Sequence, residues 1–526
     1  FIKTMNETPG LINQKLGLIK YVFVDEFQDI TYERLELINF IANPVNTNIC
    51  VIGDPNQSIY GFQKDKLGHP MDPKPYYEEF KKIYKPKELN LSINYRSYPE
   101  ILIEAEKLLS LNATLFEMPK LEAFLIPESD EKYCDIEDLV KSKINWKDKV
   151  LEFVKYLDSN ENKYKQIAVM FRSNDEVYRA FNILKNEKLE NVKIRIQGSK
   201  GSLYKTREFH YSVKYFESKS SLLIENDLIE KFEEKKTRII QEQPFWEEDY
   251  LDILSCLLVE FQKDREENAT YDDLIEFIKD ISYKDDGQFG KIYQQNIKQI
   301  KSNYIDQEIV LTTMHKVKGI EYDAVIIPSS LSDLPVKYGN NGITIEKIPA
   351  YMEEERRLYY VAYTRAKKRL FVLQYSREKA LTKNEVYNFP SNFVKTNYGL
   401  KIKEGIDKFL MYWSASKYGG NSFEYIRDKV KIGDEIKVKK TEYNGNYFWY
   451  VYHNNKAISL LSKSMNSKLN GYDELNELVI SSVYVNTIEE TIGSDEKNQT
   501  NYADKWTPEA KERGYIYLID FSGYGK

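Results

Sequence analysis

The chain has 526 residues and a formal net charge of -6. That length can bury more than one core, so about three to four compact units are expected, and the acidic balance excludes a wholly basic wrapper of nucleic acid while leaving room for a local basic groove. Cys50, Cys134 and Cys256 sit in no metal-ligand spacing, no apolar run reaches the about 18 residues of a membrane span, and no signal peptide opens the sequence, so a cytoplasmic protein with no structural zinc and no membrane partner is expected.

Before Lys20 the sequence is polar and helix-like, and it begins at Phe1. The first strand-like run, YVFV at 21–24, has the β-branched and aromatic character of a buried parallel strand and runs straight into Asp25 and Glu26. In open α/β sheets chemistry gathers just past the carboxyl ends of strands. A lone strand ending in two acids is more often a solvated turn, so a second signal is needed. It comes from ICVIGDPNQSIYGF at 49–62, another apolar run ending in Gly-Asp and a polar loop, with the helix-like ERLELINFI between the two. Together they spell a βαβ unit. Further on come LSINYRS at 91–97, the strand-like IAVMFRSN at 167–174, and VKIRI followed by QGSKGSLYKTREF at 197–209. Residues 211–306 are charged and helix-like, with an amphipathic stripe in FWEEDYLDILSCLLVEF. LTTMHKVKGIEYDAVIIP at 311–328 and EEERRLYYVAYTRAKKRLFV at 353–372 close this part. Beyond about residue 400 the pattern alternates polar and apolar, with Asn444-Gly445 as a hairpin signal inside GDEIKVKKTEYNGNYFWYVYHNN, so a β-rich end is expected.

These segments, in this order, carry a resemblance. DEFQD and GDPNQSIYGF resemble motifs II and III of the superfamily 1 helicases of the UvrD/Rep/PcrA kind, LSINYRS resembles motif IV, and the runs at 311–328 and 353–372 resemble motifs V and VI. The resemblance implies an α/β fold of RecA-like parallel sheets flanked by helices, the first domain partial and the second complete, with a helical insertion and a β-rich C-terminal domain. The implied division is 1–85 for the end of the first RecA-like domain, 86–210 and 307–398 for the two parts of the second, 211–306 for a reduced helical insertion, and 399–526 for the accessory domain.

It also implies roles, and phosphoryl transfer, which is mostly positioning and charge neutralisation, explains why these residue types serve. Asp25 would hold Mg²⁺, Glu26 would orient and deprotonate the attacking water, Gln57 would sense the γ-phosphate of ATP, and Arg96 and Arg365 would neutralise its charge. Tyr95 would stack on adenine, Glu321 would bond the ribose, and Gly319 would let backbone approach the phosphates. Tyr60, Phe62, Lys64, His315 and Lys318 would contact DNA, the aromatics by stacking and the others through phosphates. Single-stranded DNA and junctions of single- and double-stranded DNA are the implied partners, with 3′-to-5′ polarity, and the β-rich end offers room for a protein partner.

Two departures qualify these implications. Gln63-Lys64-Asp65 stands where the family has Arg-Gly-Ala, removing a guanidinium from the DNA-facing loop. More consequentially, no G-x-x-x-x-G-K-[ST] phosphate loop precedes Asp25; GSKGSLYKT at 198–206 lies after it in sequence and has Tyr204 where a glycine is required. The expectation is a helicase chain that lacks its N-terminal part and hydrolyses little ATP by itself. The alternative is a catalytically silent, helicase-like DNA-binding or regulatory protein. A third pattern, Glu435-x-Lys437 on a strand, is of the kind metal-dependent nucleases use, but such triplets are common on exposed strand faces and no convincing Asp-bearing strand precedes it, so a nuclease is not expected.

Overall fold

The computed structural model describes residues 19–42, 47–59, 74–110, 112, 120–128, 131–138, 146–159, 164–172, 174–185, 187, 192–197, 203–283, 288–300, 307–328, 348–374, 400–401, 416, 419–443, 445–462, 469 and 471–525. The strands in chain order are β1 (Tyr21–Val24), β2 (Asn48–Val51), β3 (Ile93–Asn94), β4 (Glu122–Ala123), β5 (Cys134–Asp138), β6 (Gln166–Phe171), β7 (Lys193–Ile196), β8 (Glu308–Thr313), β9 (Tyr322–Ile327), β10 (Ala366–Gln374), β11 (Leu400–Lys401), β12 (Glu435–Tyr443), β13 (Asn446–His453), β14 (Lys456–Leu460), β15 (Glu474–Thr487) and β16 (Tyr515–Gly525). They fall into two compact units, one formed by Phe1–Ile144 with Tyr322–Asn388, the other by Asn145–Glu321 with Phe389–Lys526. Among the described residues no helix is long and apolar enough to cross a membrane.

In the first unit β1 and β2 run parallel, Tyr21 opposite Asn48, joined through the helix Tyr32–Ile41. Thr31 starts that helix by accepting the Arg34 N–H at 3.4 Å. Val22, Val24, Ile49 and Val51 pack on Phe27, Leu35, Ile38 and Phe80. The reading of β1 as wholly buried needs correcting, because Tyr21 and Phe23 are 65% and 73% exposed. Side chains alternate along a strand, and the helices described here cover only the valine face. Farther along, β5, β10 and β9 lie in that order and all parallel. The helices Pro99–Leu109 and Ile348–Tyr363 bury Ile101, Leu102 and Ala105, and Leu358, Val361 and Ala362.

In the second unit β6, β8 and β7 are parallel neighbours. Ile167 to Met170 and Ile309 to Leu311 are 0% exposed, the near-continuous apolar run of a strand covered on both faces. Among the described residues, five helices occupy the stretch from 207 to 300: Arg207–Glu217, Leu228–Glu242, Glu248–Asp264, Tyr271–Tyr283 and Gln288–Ile300. The amphipathic stripe expected for the third of these proves to be more than a stripe, since every residue from Tyr250 to Val259 is buried. Asp252 is tolerated inside because two lysines close on it, Lys236 Nζ at 3.2 Å and Lys193 Nζ at 3.4 Å.

The C-terminal strands form one antiparallel sheet in the order β11-β16-β15-β12-β13-β14. Pairing of Tyr443 with Asn446 leaves a two-residue loop between β12 and β13, and Gly445 holds φ +74°, as the hairpin signal requires. Asn444 lies outside the described residues. Ile436, Val438, Trp449, Val451, Ile480 and Phe521 are among the residues of its core. Arg207, 0% exposed, ties this part to the helices, donating to the carbonyls of Ile426, Arg427 and Val430 at 2.9–3.1 Å and to that of Phe245 at 3.2 Å.

Candidate functional site

In the first unit, β1 delivers Asp25 and Glu26 to solvent at its carboxyl end. The turn there is sharp. Glu26 takes a left-handed conformation, φ 53° and ψ 41°, which costs a non-glycine residue about 1 kcal/mol or more and is found where the surroundings hold it. The surroundings are visible. The Glu26 N–H donates to Asp25 Oδ1 at 2.8 Å, and the Phe27 N–H to the Ile52 carbonyl at 2.9 Å. Gln28, 2% exposed, donates its side-chain N–H to Glu26 Oε2 while its Oε1 accepts the Asp54 N–H at 3.0 Å. Gly53 leaves room for that amide; a Cβ there would fall 2.6 Å from Gln28 Oε1. Burial pushes the Tyr77 phenol well above its usual range, with Asp54, Asp29 and Glu26 adding to the effect.

The loop after β2 continues the chain of contacts. Asp54 Oδ2 accepts from Gln57 Nε2 at 3.0 Å, and Gln57 Oε1 accepts from Arg365 Nη2 at 3.3 Å. Arg365 is 2% exposed and also donates from Nε to the Val361 carbonyl at 3.0 Å, in the last turn of the helix Ile348–Tyr363. Arg96 reaches the same place, its Nη1 donating to the Thr364 carbonyl at 3.3 Å. It is aimed by Asn94, whose Oδ1 accepts the N–H groups of Arg96 and Ser97 at 2.9 and 2.8 Å, and by the Ser97 hydroxyl on the Ala366 carbonyl at 2.6 Å. Asp25, Glu26, Gln57, Arg96 and Arg365 thus belong to one unit, with Gln57 and Arg365 in direct contact. Tyr95 is 65% exposed and rests against Phe124, ring centroids 4.9 Å apart. Gln28 and Asp54 were not singled out by sequence reasoning. Their signal was present, a polar residue inside DEFQD that the fold buries and an acid before the Gln57 turn.

The second unit holds the remaining described candidates on one loop. After β8 comes the turn Met314–Val317, then Lys318, Gly319 and, just before β9, Glu321. Gly319 has φ +75° and nothing within 4 Å of where a Cβ would stand, so backbone conformation rather than crowding calls for glycine here. His315 is half-buried; burial, and then the Arg172 cation, push its pKa down to about 3. It is a neutral imidazole near neutral pH, able to donate one hydrogen bond to a phosphate but bringing no charge. Between its usual value of 6.5 and about 3 the unfolded chain binds a proton that the folded chain refuses. Stability from this group is therefore complete above the upper value and is lost as the pH falls through the window. His315→Asn is expected to lessen that acid loss in urea unfolding. It should not abolish it, because His210, pushed to about 4 mainly by burial, acts with the same sign. Tyr60, Phe62 and Lys64 lie outside the described residues.

Residues 1–69 match the UvrD/REP helicase N-terminal domain, and residues 211–377 match the UvrD-like helicase C-terminal domain. The ATP-dependent DNA helicase PcrA of Staphylococcus epidermidis is 24% identical over 465 residues, a match covering 75% of this chain and 60% of that protein. The protein of the same description from Staphylococcus aureus matches to the same extent, 24% over 465 residues. The chain thus spans 60% of the length of these relatives.

Proposed function

We infer that this chain, which belongs to the superfamily 1 helicases of the UvrD/Rep/PcrA kind, works as part of an ATP-dependent DNA helicase that steps along single-stranded DNA. The observation that carries this reading is the contact of Arg365 with Gln57, which joins the motif VI arginine to the loop beside Asp25 and Glu26. A γ-phosphate arriving at that loop would compete with the Gln57 carbonyl for the guanidinium, and the two would separate or join according to the state of the nucleotide. Arg96, held on the neighbouring Thr364 carbonyl, would add its charge from a second segment.

Glu26 would accept the proton of the attacking water while Gln28 holds its carboxylate toward the loop. Asp25 fits a magnesium ligand, since its carboxylate is exposed and that ion takes only one or two protein carboxylates, filling its shell with water and phosphate oxygens. The ion would supply charge neutralisation on the phosphates. Tyr95 would stack on adenine, and Gly319 and Glu321 would approach the phosphates and the ribose. His315 and Lys318, with Tyr60, Phe62 and Lys64, would grip the DNA strand without regard to sequence. Polarity is 3′ to 5′ by family likeness, junctions of single- and double-stranded DNA are the working substrate, and the antiparallel C-terminal sheet is a place for a protein partner.

A second reading is a catalytically silent, helicase-like DNA-binding or regulatory protein. On that reading the scaffold clamps DNA without hydrolysing ATP. DNA-stimulated ATPase assays separate the two. The 526-residue chain alone is expected to release phosphate at background rate. Supplied with a first-domain segment that carries the loop, it should hydrolyse ATP in response to single-stranded DNA. Absence of stimulation with the loop present would sink the motor reading and leave the clamp.

A further inference from the structure

The loop that carries His315 and Lys318 is braced from outside by a residue with no role so far. Gln197, just past the end of β7 and 4% exposed, donates from Nε2 to the Lys316 carbonyl at 2.7 Å. Its own N–H continues the strand ladder onto the Leu311 carbonyl at 2.9 Å, so the side chain springs from a fixed point. The acceptor lies inside the short turn Met314–Val317, between the two candidate DNA contacts. A carbonyl in such a turn, if left without a donor in a buried setting, drives the turn to rearrange.

The Gln197 amide is itself pressed in place by the helix Gln288–Ile300. Gly290 packs so closely that a Cβ on it would stand 2.6 Å from Gln197 Nε2 and 2.5 Å from Ile320 Cδ1, touching the supports on both sides of the loop. The helix cannot easily withdraw. Its Tyr293 hydroxyl receives the Lys193 ammonium at 3.1 Å, and the Arg195 guanidinium lies 4.2 Å from the ring centroid. Glycine is a poor helix former, so close approach is a physical reason for it at this position.

We propose that Gln197 is a positioning residue for single-stranded DNA binding: it sets the His315–Lys318 turn through the Lys316 carbonyl, and Gly290 lets the helical insertion hold that amide in register. The proposal rests on the reading of His315 and Lys318 as phosphate contacts.

The test is fluorescence anisotropy of a labelled oligothymidylate titrated with the 526-residue chain at several salt concentrations, with unfolding curves recorded alongside. Gln197→Met keeps length and packing but has no donor. It is expected to weaken binding about tenfold and to reduce the slope of log affinity against log salt by about 0.7, the equivalent of one phosphate contact on a single strand. Gly290→Ala, which displaces the same amide, should reduce the slope alike, and the double variant should be no worse than the more affected single one. A purely structural role would lower the unfolding midpoint and leave the slope alone; that result, or wild-type binding by both variants, overturns the proposal while the DNA-binding reading stands. A wild-type chain that fails to bind oligothymidylate overturns both.

Discussion

Glu26→Gln, made in protein supplied with a phosphate loop, is expected to lower the turnover of DNA-stimulated ATP hydrolysis by about 10²–10⁴-fold, the usual contribution of a positioned general base. The Michaelis constant for ATP should change little. Glutamine keeps the carbonyl oxygen that accepts from Gln28 Nε2, so the left-handed turn and its tie to the Asp54 loop survive. What is lost is the capacity to take a proton. The two arginines, Gln57 and Asp25 remain, which is why binding is spared while chemistry is not. Steady-state phosphate release at saturating single-stranded DNA measures it, and a variant turning over at the wild-type rate would show that Glu26 is not the base.

The second large effect concerns stability, away from the nucleotide site. Arg195 and Glu308 are 1% and 0% exposed and meet in a two-pronged ion pair, Nε to Oε1 at 2.8 Å and Nη2 to Oε2 at 3.3 Å, between neighbouring strands β7 and β8. Glu308→Leu leaves a buried guanidinium without its carboxylate and should cost about 3–5 kcal/mol. Replacing both residues, Arg195→Met with Glu308→Leu, removes the two charges together and should recover most of that loss, because the desolvation penalty goes with them. Urea unfolding of the two singles and the double decides it. A double variant as unstable as Glu308→Leu alone would mean that the pair does more than neutralise itself, for example by fixing Tyr293 and so the helix Gln288–Ile300.

Local signals carried much of this protein. The apolar runs at β1 and β2, each breaking off at acids, announced both the parallel pair and the position of Asp25 and Glu26, because a parallel strand is read from its own composition. Asn444-Gly445 announced a two-residue hairpin for the same local reason, and the ordered motifs from DEFQD to AYTRAKK marked the family. Burial was less legible. YVFV looked wholly buried, yet one face of it is exposed. FWEEDYLDILSCLLVEF looked amphipathic, yet its middle, Tyr250 to Val259, is buried throughout while Glu248 ahead of it is exposed, since which faces are covered depends on neighbours far away in the chain.

By itself, then, the sequence determined which residue types stand at the strand ends and in what order, since chemistry and β-propensity are properties of short segments. Only the tertiary structure decided that Arg365, 308 positions after Gln57, would share a hydrogen bond with it. It alone decided that Gln28 would turn inward to hold Glu26, and that Gln197 and Gly290 would meet behind the Lys316 carbonyl. Each of these is a distance between groups remote along the chain or a choice of side-chain direction. Such quantities are set by the packing of whole elements against one another, and no local pattern of residues encodes them.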